Sequence, residues 1–108
     1  MTLGKQKTIE FIDQIEAVAK KENFDNCVKD GVSEYNEKMY LTRLVAIARE
    51  LILYNEWFIA LENTIDNLFE VDYKLDSDIV NLAIQAFNSV PSNNPRLKDL
   101  EQMIIKTG

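Results

Sequence analysis

Residues 41–52 read LTRLVAIARELI. Leu41, Leu44, Val45, Ala48, Leu51 and Ile52 recur at intervals of three and four, the spacing that stacks side chains along one face of an α-helix. Ile47 and, just beyond, Tyr54 widen that face, and so broad an apolar stripe predicts a place at the centre of a helical bundle. The same period runs outward in both directions. Upstream, Ile9, Ile12, Ile15 and Ala19, flanked by Phe11 and Val18, predict a helix over roughly residues 5–22. Phe24, Cys27 and Val28 predict a short helical turn closed at Gly31, with Ser33 capping the central helix. Downstream, Trp57, Ala60, Leu61, Thr64, Ile65 and Leu68 line a third long helix over about residues 55–70. The segment VDYKLD then leads to Asp76 or Ser77 as the cap of a helix over residues 78–89, whose inward face is Ile79, Leu82, Ala83, Ala86 and Phe87. SVPSNNP is the one clear loop; Asn94 and Pro95 start a last helix carrying Leu97, Leu100, Met103 and Ile104.

The expected architecture is therefore all-α: a single domain over residues 1–108, a bundle of about five helices. That length supports one hydrophobic core and not two. A composition of 46% hydrophobic and 28% charged residues belongs to a chain that folds. The apolar run LVAIARELIL is broken by Arg49 and Glu50 and is too short to cross a bilayer. No apolar stretch follows the first basic residues, as a secretory signal would require. One cysteine cannot form an internal disulfide, and Cys27, between Phe24 and Val28, reads as a small core residue. A cytoplasmic protein with no membrane attachment is the expectation.

Charge is unevenly distributed. From Glu50 to Asp78 the chain carries eight acids and one base, Lys74, while the rest carries ten acids and eleven bases. The net charge of −6 is thus local, and it argues against direct binding to nucleic acid. Catalytic constellations are missing from the sequence. Without histidine there is no Ser–His–Asp arrangement, and one cysteine makes no zinc site. DYKLDSD resembles a calcium loop at a glance, but an EF-hand starting at Asp72 fails at Lys74, Ser77 and Ala83. Asp76 and Asp78 read instead as anions at the positive end of a helix dipole. A two-carboxylate hydrolase has no pocket to sit in. No enzyme, cofactor or metal is expected.

On the third helix, Glu62, Asp66 and Glu70 stand four residues apart, a spacing at which like charges repel by roughly 0.2–0.5 kcal/mol per pair. With Trp57, Leu61, Ile65 and Leu68 inward, this row faces solvent and Ile59 projects from the same surface. One reading makes the row a solubility device, with Ile59 tucked under a neighbouring helix. The other makes it a binding face for a basic protein, with Glu56, Ile59, Glu62, Asp66, Phe69, Glu70, Asp72 and Tyr73 as the contact residues. In that reading the acids steer encounter while Ile59 and the aromatics provide desolvated contact. Trp57 is placed in the core.

Residues 53–80, LYNEWFIALENTIDNLFEVDYKLDSDIV, resemble the core segment of small bacterial immunity proteins of the Maf type and the contact-dependent growth inhibition type. The likeness rests on Glu56, Trp57, Ala60, Leu61, Glu62, Asp66, Leu68, Phe69, Glu70 and Asp72, ten of seventeen positions at the right spacing. Phe58 and Ile65 depart from it, since a small residue and a cysteine are usual there. The resemblance implies a cytoplasmic protein without a reaction of its own, which binds and neutralises a cognate toxin domain, typically a basic nuclease, as a one-to-one complex. The rival expectation is a helical adaptor or regulatory subunit, self-associating through the apolar faces of its terminal helices.

Overall fold

The computed structural model describes residues 2–21, 27–29, 34–71 and 73–90, with side chains at 27–29 and 34–37 left aside. Its core is organised on the first helix, α1 (Leu3–Lys21). Phe11, Ile12, Ile15 and Ala19 fall on one stripe of it and are buried. Against that stripe pack α2 (Glu37–Leu53), α3 (Trp57–Glu70) and α4 (Ser77–Asn88). Leu41, Leu44, Val45 and Ala48 come inward from α2, Ala60, Leu61, Ile65 and Leu68 from α3, and Ile79, Val80, Ala83 and Phe87 from α4. Ile9, Val18 and Leu82 sit at the margins, half-buried. Two buried hydroxyls are satisfied within their own helices: Thr8 Oγ1 donates to Gly4 O and Thr64 Oγ1 to Ala60 O, each at 2.8 Å. No described helix is long and apolar enough to cross a membrane.

One expected element is replaced by another. Where a helical turn is predicted around Cys27 and Val28, the chain forms a two-stranded antiparallel hairpin, β1 (Cys27–Lys29) and β2 (Glu34–Asn36). In the register of the pair, Cys27 stands opposite Asn36, Val28 opposite Tyr35 and Lys29 opposite Glu34. The connecting sequence contains Asp30-Gly31, a strong hairpin dipeptide. Among the described residues the fold thus has four helices and this hairpin, and α2 follows β2 without a gap. The fifth helix with its Asn94–Pro95 start, the Ser33 cap, the core placement of Cys27 and the side chain of Asp72 lie outside the described residues.

The reversal between α2 and α3 is tight. Asn55 adopts φ 61°, the left-handed conformation that asparagine tolerates better than most residues. Glu56 N–H donates to Leu51 O at 2.8 Å and Asn55 N–H to Ile52 O at 2.9 Å, the paired bonds of a Schellman motif. Lys5 Nζ donates to Asn55 Oδ1 at 3.2 Å, which ties the turn to α1. At the start of α4, Asp76 occupies the capping position as expected, and its carbonyl accepts from Ile79 and Val80 N–H. Its carboxylate makes no capping hydrogen bond, so the expected side-chain cap is absent.

Trp57 fixes how α3 is rotated. Its indole lies against Gly4 so closely that a Cβ there would overlap both the ring and Ser89 Oγ. The ring also meets Phe58 edge-on at 5.7 Å, and Phe58 meets Phe87 in the same way at 5.7 Å, joining α3 to α4. Arg49 extends across to α1, with its Nη2 2.9 Å from Asp13 Oδ1 and 3.4 Å from Glu16 Oε1. These pairs are solvent-exposed and contribute little.

Gly4→Ala should therefore lower stability by about 1–3 kcal/mol, the usual range for overpacking. Helix propensity alone predicts the opposite sign, since alanine is the better helix former. Urea denaturation separates the two: an unchanged or higher midpoint would mean that the indole does not rest on Gly4.

Candidate partner-binding face

Rotation of α3 decides what reaches solvent. Its inward positions Ala60, Leu61, Thr64, Ile65 and Leu68 are fully buried, and Trp57 is half-buried against α1. At 100° per residue the opposite flank presents Ile59, Glu62, Asp66, Phe69 and Glu70. Asp66 and Glu70 are exposed, Glu62 is half-exposed, and Glu56 is exposed immediately before the helix. Ile59 is 51% exposed and Phe69 40%, so Ile59 is not tucked under a neighbouring helix. Consecutive acids of the row are separated by about 6 Å along the axis. The structure thus brings together six of the eight sequence-predicted contact residues. Tyr73 is half-buried and packs against the core, with its N–H donating to Leu68 O at 2.9 Å, which leaves it less available as an aromatic anchor. Asp72 is the eighth.

Electrostatically the row is placed at a cost. No basic residue occupies the last turn of α3, and Glu70 ends it. An anion at a helix C-terminus opposes the dipole by roughly 0.3–1 kcal/mol. Glu62 and Asp66 both make polar interactions within the chain.

The face extends beyond α3. A groove of about 320 Å³ runs between α2 and α3, lined by Tyr40, Arg43, Leu44 and Ile47 on one side and Asn63, Asn67 and Glu70 on the other. Its polar walls are fixed. Tyr40 donates its hydroxyl to Asn67 O at 3.1 Å, and Asn67 Nδ2 donates to Asn63 O at 2.7 Å. Ile47 and Tyr54, expected from their spacing to widen the apolar face of α2, are both exposed, at 40% and 70%. Opposite Ile47, α3 offers the amides Asn63 and Asn67 in place of apolar side chains, so the stripe of α2 has nothing to close onto at that edge. Spacing on α2 alone does not reveal the groove; its signature in the sequence is the pair of asparagines, Asn63 and Asn67, at a four-residue interval on the facing helix.

No protein-family model, no curated protein and no solved structure matches the chain.

Neutralising the end of the row isolates its cost. Glu70→Gln removes a charge opposed to the dipole and to Asp66, and should raise stability by about 0.5 kcal/mol at low salt. A fall in the urea midpoint would show instead that Glu70 is held by a structural contact across the groove, whose facing wall carries Arg43.

Proposed function

We propose that this chain is an immunity protein of the Maf or contact-dependent growth inhibition type, one that neutralises a cognate toxin domain by binding it. The observation that carries the reading is the exposed acidic flank of α3, a row of carboxylates four residues apart that ends at the unfavourable terminus with Glu70 and shares its surface with the exposed Ile59. Solubility alone needs neither the clustering nor the isoleucine. A basic domain is the complementary partner, and a nuclease cleft shaped for phosphates is the commonest such surface. The carboxylates raise the rate of encounter and penalise acidic partners, while Ile59 and Phe69 lose water on contact. The chain contributes no reaction; inhibition follows from occupying or obstructing the toxin. Resemblance of residues 53–80 to immunity proteins supports the same reading.

The adaptor reading, with self-association through the terminal helices, finds no free apolar face on α1. Its stripe is buried beneath α2, α3 and α4, with Leu3 alone exposed among its large apolar residues.

Charge reversal tests the proposal. Glu62→Lys combined with Asp66→Lys should weaken binding to the toxin domain encoded beside this chain by well over tenfold, with helicity retained by circular dichroism. Association of the unaltered chain should slow as salt is raised, because exposed charges are screened beyond ~8–10 Å at physiological ionic strength. Affinity that survives the double reversal would remove the flank of α3 from the interface.

A further inference from the structure

Large apolar side chains on the surface are not scattered over this molecule. Among the described residues seven are exposed, and six of them belong to the α2–α3 hairpin: Met39, Ile47, Leu53, Tyr54, Ile59 and Phe69. Leu53 and Tyr54 are the most exposed of all, at 79% and 70%. On α2 the apolar residues share an arc with Arg43 and Glu50, a face in which charge is the minority. That ridge borders the groove whose far wall is the acidic helix.

Resting on the immunity reading above, we propose that the partner's contact is divided between the two helices: the acids of α3 capture it, and the apolar ridge of α2 holds it. The occupant is a cationic segment carrying an aliphatic or aromatic side chain that enters the groove beside Ile47. Charge selects this occupant over a second copy of the chain. A copy would bring the same −7 of residues 50–78, from eight acids against one base, toward an identical surface. Preorganisation favours insertion as well, because Tyr40 and Asn67, on the two walls of the groove, are already held in place by hydrogen bonds before a partner arrives. Desolvated apolar and aromatic anchors govern how long a complex lasts, whereas charges at its margin govern how fast it forms.

The two contributions separate kinetically. Ile47→Ala with Tyr54→Ala leaves the charge unchanged; it should raise the dissociation rate from the adjacent-encoded toxin domain more than tenfold and leave association within about twofold. Glu62→Lys with Asp66→Lys should do the reverse, slowing association more than tenfold. If the charge pair slows association but the α2 pair leaves dissociation unchanged, the ridge is idle, and this inference fails while the immunity reading stands. Failure of the unaltered chain to bind would overturn both. The free chain supplies the remaining controls. It should sediment as a monomer, and the α2 double variant should keep the parent urea midpoint. A dimer dissolved by that variant would identify a second copy as the occupant, and a large drop in midpoint would show the chain covering the ridge itself. Either result overturns the proposal.

Discussion

A single left-handed residue sets the direction in which the acidic helix looks. With Asn55 at φ 61° and Glu56 bonded back to Leu51, α3 has to leave α2 at once and return along it, without slack to roll about its own axis. Trp57, the first residue of α3, then rests on Gly4 of α1, where only the lack of a side chain leaves room for the indole. Lys5 clamps the turn from the other side. Once reversal and rotation are fixed together, the 3.6-residue period dictates the rest: Leu61, Ile65 and Leu68 enter the core, and Ile59, Asp66 and Glu70 are directed outward.

In the proposed function that outward flank trades stability for association. Carboxylates repeated every fourth residue oppose one another, and Glu70 at the C-terminal end also opposes the dipole, each by a few tenths of a kcal/mol. A core anchored by Phe11, Phe87 and fifteen aliphatic side chains from four helices tolerates so small a penalty. The long-range field of the row acts only on what approaches from solution. In the proposed complex, short-range contact falls to the neighbouring ridge, where Leu53, Tyr54 and Ile47 are exposed. Division of labour between steering and adhesion follows from how each force decays with distance.

Much of the fold is legible in the sequence because its helices are long and their apolar residues keep strict period. The stripe of α1, the inward row of α3 and the outward phase of its acids all follow from spacing alone. Three-residue strands cannot display alternation, so the pair at Cys27–Lys29 and Glu34–Asn36 reads as a fragment of helix unless Asp30-Gly31 is given more weight. The margins of a stripe are the other blind spot. Ile47 carries the same apolar chemistry as Leu44, but it faces the amides of Asn63 and Asn67 across the groove, and Tyr54 falls in the turn beyond the end of α2; both stay exposed. For the same reason the contact of Trp57 with Gly4, between residues remote in sequence, was beyond reach, as was the α2 half of the candidate face.

Whether a cationic partner meets the outer face of the α2–α3 hairpin is read most directly by methyl NMR. The chain would be labelled at its Ile and Leu methyls and titrated with the basic toxin domain that the proposed function requires. The account predicts that the methyl signals of Ile47, Leu53 and Ile59 shift or broaden with saturable, one-to-one dependence, while those of Leu3, Leu82 and Ile84 stay in place. Shifts confined to Leu3, Leu82 and Ile84, with Ile47 and Ile59 unmoved at saturation, would contradict it.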